Sequence, residues 1–292
     1  MSTLVDEVVL AAQYPAIFML YVGYAVASVS VVIPTYNRKD SLLRAINSVL
    51  RQTVPVLEVL ICDDGSTDAS KEAVLGLNNP IVKWLDCGRN GRPAIPRNKG
   101  ILAATGEWVA FLDSDDVWLP EKIEKQLGVM LTQRCLASSS NAFRVMPTGA
   151  RSGVYIKLDR DRITFDDLIV SNWVICSSAI VSRTILQSAG GFPESELLRA
   201  AEDYALWLRI SLHTNFAYVA ECLMEYTDDS AHSIRADAVE AVQRERVMRD
   251  FWAYGQENRS LVGVVRSNII SQRYRIAMRQ NGRTLREILV PR

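Results

Sequence analysis

An α/β fold with a mainly parallel central sheet flanked by helices is the fold class that the sequence predicts. Short apolar runs rich in β-branched residues alternate with segments of helical periodicity through residues 28–131. Consecutive runs are separated by enough residues for a crossover helix, which favours right-handed β-α-β units. Polar or acidic clusters follow three of the four runs, as is typical of sheets whose strand ends carry a binding site. The predicted sheet is therefore Rossmann-like.

The elements of the first half follow from local signals. Pro34 ends the first apolar run, and Gly65 with Asp68 predicts a turn and a helix start after the second run. Pro93 suits the first turn of a helix. The resulting prediction has strands at residues 29–33, 56–62, 81–85 and 108–112, and helices at 39–51, from 68 to about 77, 93–104 and 120–131.

The regular alternation is lost after residue 131. Short apolar segments there predict strands at 135–145, 153–157, 174–181, 216–220 and 223–226, with helices at 165–170, 200–213 and from about 236 to near the end. We predict three units: an apolar N-terminal extension at 1–27, a main domain at 28–234 and a C-terminal helical region at 235–292.

Charge and cysteine content exclude several classes of protein. Lys plus Arg and Asp plus Glu number 33 each, so the basic excess typical of nucleic-acid binding is absent. The five cysteines contain no Cys-x-x-Cys pair, so neither a zinc site nor a disulfide framework is predicted. Neither a G-x-G-x-x-G nor a Walker A pattern occurs, which argues against dinucleotide and P-loop chemistry.

No charged side chain occurs from residue 8 to residue 32, a stretch that begins in the N-terminal extension and ends in the first predicted strand. Residues 8–27 are long enough to cross a bilayer, but Asp6 and Glu7 stand where a signal peptide carries positive charge. A packed extension, a helix that touches or spans a membrane, and a later start at Met19 are the alternatives. We expect a cytoplasmic protein, with residues 8–27 as a candidate contact with the inner face of the cell membrane.

Polar clusters at the ends of strands one, two and four are the main candidates for a binding site. Because the carboxyl ends of parallel strands lie at one edge of a sheet, we expect the clusters to meet in one cleft. They consist of Pro34, Thr35, Tyr36 and Asn37, then Asp63, Asp64, Gly65 and Ser66, then Asp113, Ser114, Asp115 and Asp116.

The third cluster places three carboxylates within four residues. Such charges repel one another unless a cation neutralises them, and carboxylate oxygens suit Mg²⁺ or Mn²⁺. We predict a site for Mn²⁺ or Mg²⁺ at Asp115 and Asp116, with His232 as a further metal or diphosphate contact. The alternative is a solvated acidic turn before the next helix.

Five charged residues are candidates for binding or catalysis. Asp63 or Asp64 can accept a hydrogen bond from a nucleobase imide, and Arg97 can pair with a diphosphate or position the acidic clusters. Glu202 and Asp203 open an amphipathic helix, where one carboxylate can serve as a general base. The alternatives are a tight turn, a surface arginine and helix-terminal acids that complement the helix dipole.

Seven segments, in order, resemble the family 2 glycosyltransferases with the GT-A fold. The resemblance covers about residues 28–234, which would be the catalytic domain. Two departures are the apolar leader and Pro96, which stands before Arg97 where a smaller residue is more usual. No Gln-x-x-Arg-Trp motif occurs, so processive polymer synthesis is not expected. The segments are residues 31–38, 48–53, 63–68, 96–100, 111–116, 190–192 and 202–209.

The resemblance implies an inverting transfer of a sugar from a nucleoside diphosphate donor, commonly a UDP-sugar, to an acceptor hydroxyl, with Mn²⁺ or Mg²⁺ as cofactor. It implies a glycan or lipid-linked acceptor of the bacterial cell surface, and a smaller acceptor-side sheet beside the central one. Asn37, Arg97 and Ser114 are additional donor-binding candidates. The implied roles are the nucleoside pocket for Pro34, Thr35, Tyr36 and Asp64 or Asp63, the ribose or sugar for Asp113, the metal for Asp115, the base for Asp203, and acceptor or sugar contact for Glu202.

Other classes of protein share parts of this pattern. Residues 113–117 also match the motif of haloacid-dehalogenase-like phosphatases, but there it usually follows the first strand, whereas three strand–helix units precede it here. A nucleotidyltransferase would need a Gly-rich basic loop after the first strand. A non-catalytic nucleotide-sugar-binding module is the third alternative, although every expected carboxylate is present.

Overall fold

Ten strands form one sheet in the part of the chain that the computed structural model describes, which is residues 28–146, 149–227 and 240–258. The strand order is β3-β2-β1-β4-β9-β6-β10-β5, with β7 paired to β6 and β8 paired to β10. The strands are β1 Val29–Thr35, β2 Glu58–Asp63, β3 Val82–Asp86, β4 Trp108–Phe111, β5 Val117–Trp118, β6 Ala137–Val145, β7 Arg151–Val154, β8 Arg162–Ile163, β9 Ile180–Ser182 and β10 Phe216–Thr227.

Helices flank this sheet, and the α/β fold class predicted from the sequence is confirmed. Two short 3₁₀ helices, Cys176–Ser178 and Glu196–Leu198, lie in loops beside the strand ends. The α-helices are α1 Lys39–Leu50, α2 Ser70–Leu75, α3 Ala94–Ala103, α4 Lys122–Gln133, α5 Phe165–Leu168, α6 Arg183–Ser188, α7 Glu202–Ile210 and α8 Glu240–Glu257.

The half of the sheet formed by β3, β2, β1 and β4 is parallel throughout. Every residue of β1 and β2 is buried, because helices cover both faces of a parallel sheet. Helix α3 approaches this half very closely at Gly100. A Cβ atom there would lie 2.5 Å from Val32 Cγ1 and 2.8 Å from Cys62 Sγ, so only glycine fits. The contact fixes the height of α3 above the strand ends.

The other half of the sheet contains antiparallel pairs. β9 pairs antiparallel with both β4 and β6, and it joins the expected acceptor-side strands to the parallel half in one continuous sheet. The predicted strands 216–220 and 223–226 are one strand, β10, which has register shifts at Cys222. The long partner β6 holds both parts of β10 in one ladder.

The strand predicted at residues 174–181 is wrong in its first part. The segment forms the 3₁₀ helix Cys176–Ser178, and only Ile180–Ser182 is a strand. Ser178 donates from both its backbone nitrogen and its hydroxyl to the Ile175 carbonyl oxygen, at 2.9 and 2.7 Å. Such local serine hydrogen bonds compete with a strand ladder.

Three predictions concern residues outside the described ranges, in whole or in part. The apolar extension at 1–27 and His232 both lie there, as does the C-terminal region beyond residue 258. Among the helices of the described ranges, none has the length and apolar character needed to cross a membrane.

Candidate active site

A cavity of about 550 Å³ opens at the carboxyl ends of β1, β2 and β4. The start of α7 and the end of β10 close its other side. The strand-end clusters therefore meet at one hollow, as expected for an open parallel sheet. The predicted residues that line it are Pro34, Thr35, Tyr36, Asp64, Arg97, Asp113, Ser114, Asp115, Asp116, Glu202 and Asp203.

Asn37 and Asp63 do not line the cavity. The Asp63 carboxylate accepts from the backbone nitrogen of Ser66 at 3.0 Å and from its hydroxyl, so it turns into its own loop. Asn37 has a φ of 50°, and its Oδ1 accepts from the backbone nitrogen of Thr67 at 2.7 Å. Both side chains hold the two neighbouring loops together and shape the cavity from behind.

Asp64 lies at one end of the cavity and binds the loop that follows β3. Its carboxylate accepts from the backbone nitrogens of Asn90 and Gly91, each at 2.8 Å, and forms an ion pair with Arg89. The Arg89 guanidinium lies 3.7 Å from the ring centre of Tyr36. Tyr36, Asp64 and Arg89 thus form one wall that offers an aromatic face, a carboxylate and a cation.

Three residues of this loop were not among the site residues predicted from the sequence. Arg89, Gly91 and Arg92 all line the cavity. One signal was available, because the loop follows β3 and so reaches the same edge of the sheet as the acidic clusters. Gly65 makes the approach possible, since a Cβ there would lie 3.2 Å from Arg89 and its φ is 81°.

Arg97 lies between two carboxylates at the centre of the site. It is 5% exposed and donates to Glu202 Oε1 at 2.8 Å and to Asp113 Oδ1 at 2.6 Å. Burial lowers the pKa of Arg97, but the charges of Asp113 and Glu202 outweigh burial and raise it. The guanidinium therefore stays charged and links β4 to α7. Arg97 is therefore a buried residue that binds two carboxylates, not a surface arginine.

The acidic turn after β4 is neutralised in part by Arg38, which forms an ion pair with Asp115. Burial raises the pKa of Asp115, Arg38 lowers it and the charge of Asp113 raises it again, with a net rise. Asp116 is fully buried and accepts from the backbone nitrogen of Thr227 at 2.8 Å. Burial and the charges of its two acidic neighbours raise its pKa well above the usual range.

The predicted set of metal ligands is only partly placed at the cavity. Asp115 and Asp116 both line it, Asp116 also accepts from the backbone nitrogen of Thr227 on β10, and His232 lies outside the described residues. In the described ranges, no group of three or more His, Cys, Asp or Glu side chains is arranged to hold a metal ion. Any cation here would need oxygen ligands from the substrate beside Asp113 and Asp115.

Glu202 and Asp203 enter the cavity from the first turn of α7, and both are buried. Glu202 Oε1 binds Arg97, while Oε2 is buried and makes no hydrogen bond to a described residue. Burial raises the pKa of Glu202, and Arg97 opposes that rise. Asp203 Oδ1 accepts from the backbone nitrogen of Tyr204 at 2.7 Å, which fixes its carboxylate at the cavity wall.

One cavity combines the acidic strand ends of a parallel sheet, an Asp-x-Asp turn and a carboxylate carried by a helix. This combination is typical of a GT-A glycosyltransferase. The sequence family described as "Glycosyl transferase family 2" matches residues 30–187. The chain belongs to glycosyltransferase family 2.

Two curated relatives match this chain over most of their own length. The putative teichuronic acid biosynthesis glycosyltransferase TuaG of Bacillus subtilis (strain 168) is 33% identical over 204 residues, which is 68% of this chain and 78% of TuaG. The UDP-Glc:alpha-D-GlcNAc-diphosphoundecaprenol beta-1,3-glucosyltransferase WfgD of Escherichia coli is 31% identical over 191 residues, 65% of this chain and 72% of WfgD.

Solved structures share the fold at lower identity. S. aureus TarS 1-349 in complex with UDP-GlcNAc has a TM-score of 0.68 at 21% identity, and the match covers 88% of this chain and 73% of that one. The mannosyltransferase PcManGT from Pyrobaculum calidifontis, in complex with GDP-Man and Mn²⁺, has a TM-score of 0.55 at 20% identity, covering 85% and 72%. These matches support the GT-A fold.

Proposed function

We propose that this enzyme transfers a sugar from a UDP-sugar to a hydroxyl of a lipid-linked saccharide, with inversion at the anomeric carbon, in bacterial cell-surface polysaccharide synthesis. One observation carries the proposal: the Asp203 carboxylate shares one cavity with Asp64 and the Asp113–Asp115 turn. A general base, residues that can bind a nucleoside and a site for its diphosphate are thus within reach of one substrate. Enzymes such as WfgD, named for a UDP-sugar donor and a diphosphoundecaprenol acceptor, support the substrate classes.

The wall formed by Tyr36, Asp64 and Arg89, called here the nucleoside wall, would hold the nucleobase of the donor. A pyrimidine ring can stack on the Tyr36 face, and its imide N–H can donate to Asp64. Thr35 strengthens this assignment, because its hydroxyl oxygen is buried at the cavity wall without a hydrogen-bond partner among the described residues. A ribose hydroxyl would satisfy it. These three contacts favour a nucleoside over a smaller phosphate ester.

A divalent cation fits the opposite part of the cavity. Asp113 and Asp115 supply carboxylate oxygens there, and Mg²⁺ or Mn²⁺ is commonly held by one or two carboxylates together with substrate phosphates. When bound, such a cation would offset the charge of the departing UDP. Arg38 now holds that position beside Asp115, so its ion pair would open when the donor and cation enter.

Asp203 would act as the general base in a single displacement. The acceptor oxygen forms a bond to the anomeric carbon while the bond from that carbon to the diphosphate oxygen breaks, and Asp203 takes the hydroxyl proton. No protein nucleophile intervenes, so the configuration inverts. Glu202 Oε2 would accept from a sugar hydroxyl, and Arg97 would keep Glu202 in place. With a lipid-linked acceptor, the reaction would occur at the inner face of the cell membrane.

The test compares wild type, Asp203→Asn and the exposed control Asp40→Asn in a donor panel with Mn²⁺ and lipid-linked acceptors. We expect wild type and Asp40→Asn to release UDP and yield product whose anomeric centre is inverted by NMR. Asp203→Asn should lose at least about 10²-fold in rate. Its melting temperature should still rise with UDP, because the nucleoside wall is intact.

The same assay separates the other classes of protein. Release of inorganic phosphate would indicate a phosphatase, and release of pyrophosphate a nucleotidyltransferase. UDP binding without turnover of any donor would indicate a binding module. Full transfer activity in Asp203→Asn would show that Asp203 is not the general base.

A further inference from the structure

The rim of the cavity beside α7 carries positive charge that the proposed donor chemistry does not use. Arg199 is exposed on this rim and forms no ion pair within the described part of the chain. Arg92 lines the same side, and its ion-pair partner Glu196 is 69% exposed, so water screens that pair. By contrast, the other cavity arginines bind cavity carboxylates: Arg38 with Asp115, Arg89 with Asp64, and Arg97 with Asp113 and Glu202.

A second cavity of about 420 Å³ lies on the other side of the segment 195–200, between it and α8. Leu197 and Val242 line this cavity and are both exposed, at 62% and 42%. Four charged residues of α8 line it too, and two of them, Glu245 and Asp250, form ion pairs with Arg249 and Arg209, so that Arg246 adds positive charge beside the two apolar side chains. The segment 195–200 therefore borders the catalytic cavity on one side and an apolar groove with a basic edge on the other.

Helix α8 holds this segment in place. Gln243 Nε2 donates to the carbonyl oxygen of Arg199 at 3.1 Å, and Arg246 donates to that of Leu197 at 3.3 Å. Ala200, between Arg199 and α7, has a φ of 65°, a left-handed conformation that is unfavourable for a residue other than glycine. Residues held in such conformations cluster at binding sites.

We propose that this rim binds the diphosphate of the lipid-linked acceptor, and that the groove receives the first apolar units of its lipid. The proposal rests on the proposed function. Arg199 and Arg92 pair with phosphate oxygens, which guanidinium groups bind in bidentate fashion. Leu197 and Val242 contact the lipid. The acceptor sugar then lies between the rim and Asp203, four residues after Arg199, where its hydroxyl reaches the base.

The positions of the arginines also explain why the donor diphosphate is not the ligand of this rim. The donor diphosphate needs cations beside the Asp113–Asp115 turn, where Arg38 and Arg97 already stand. Arg199 lies on the side of Glu202 and Asp203. The groove lined by Leu197 and Val242 lies across the segment 195–200 from it. A ligand with one anionic and one apolar part fits both sides of the segment, whereas a nucleotide fits only the first.

The experiment measures binding of farnesyl diphosphate by calorimetry to the full-length enzyme saturated with UDP and Mn²⁺, so that the donor site is occupied. Farnesol and inorganic pyrophosphate are the comparison probes. The variants are Arg199→Gln, Arg92→Gln and Leu197→Ser, with Arg51→Gln as an exposed arginine control away from the cavity. UDP affinity is measured for each variant as a second readout.

We expect wild type and Arg51→Gln to bind farnesyl diphosphate more tightly than either comparison probe. Arg199→Gln should weaken that binding at least tenfold and leave UDP affinity unchanged. Leu197→Ser should weaken farnesyl diphosphate binding and leave pyrophosphate binding unchanged. Unaltered binding in Arg199→Gln, or an equal loss of UDP affinity, overturns the proposal. A wild type that binds no UDP at all would instead refute the proposed function.

Discussion

Replacing Arg97 by methionine removes the cation between Asp113 and Glu202 and should destabilise the fold. The guanidinium makes hydrogen bonds of 2.6 and 2.8 Å to these two carboxylates. Removing one partner of a buried ion pair costs about 3–5 kcal/mol, because the remaining charge stays buried. Asp113 is 30% exposed and can be hydrated, while Glu202 cannot. We therefore expect the lower end, a loss of about 3 kcal/mol at pH 8.

The loss should depend on pH, and its sign follows from Glu202. Burial raises the pKa of Glu202 above its ordinary value of 4.5, and Arg97 opposes that rise, so the pKa rises further in the variant. A carboxyl group with a raised pKa binds a proton more readily in the folded state than in the unfolded one. The unfolding free energy of Arg97→Met should therefore recover as the pH falls through that raised pKa toward 4.5.

Urea unfolding followed by tryptophan fluorescence measures both effects. The double variant Arg97→Met with Glu202→Gln removes the stranded charge and should recover about 2 kcal/mol at pH 8 relative to Arg97→Met alone. Arg51→Met, at an exposed site, should match wild type. Unfolding of Arg97→Met at the wild-type urea midpoint, or no recovery on adding Glu202→Gln to it, would contradict this prediction.

Three further predictions test the nucleoside wall, the core and the pH response. Tyr36→Ala should weaken UDP binding about tenfold by calorimetry while Tyr36→Phe retains it, since the loss of one stacked ring costs about 1–3 kcal/mol; equal affinities would exclude stacking. Gly100→Ala should lower the melting temperature, at a cost of about 1–3 kcal/mol, because its Cβ would lie 2.5 Å from Val32 Cγ1; Gly255→Ala, in open space on α8, should not. Burial raises the pKa of Glu58, but hydrogen bonds outweigh burial and lower the pKa to about 2. The Glu58 carboxylate therefore stabilises the fold above pH 4.5, and this stabilisation is lost as the pH falls toward 2. Glu58→Gln should cost about 2 kcal/mol at pH 7 and far less at pH 2.5 in urea unfolding; a deficit that is the same at both pH values would contradict this.

Much of the candidate site follows from strand ends that can be recognised in the sequence. The apolar run before Asp113 and the turn at Gly65 predict where two strands stop, and the rule for parallel sheets brings their ends together. The choice between Asp63 and Asp64 needed the structure. Consecutive residues leave a strand on opposite sides, and only Asp64 reaches the loop at Asn90 and Gly91.

Pairings between distant residues were not predictable from local pattern. Arg38 and Asp115 are 77 residues apart, and Arg97 and Glu202 are 105 apart. The segment around Ser178 was misread as a strand for a related reason. Its alternation of apolar and small residues suits a strand, but its serine hydrogen bonds favour a 3₁₀ turn once β9 is paired on both edges.

The sequence by itself determined the parallel half of the sheet, the residue types at its strand ends and the family, because periodicity and turn chemistry act over a few residues. Tertiary structure decided that Asp64 and not Asp63 faces the cavity, that Arg89 joins it, that Asp116 is bound to β10, and that the segment 195–200 separates two cavities. Those outcomes depend on contacts between loops far apart in the chain, whose geometry is set by the packing of the whole sheet against its helices.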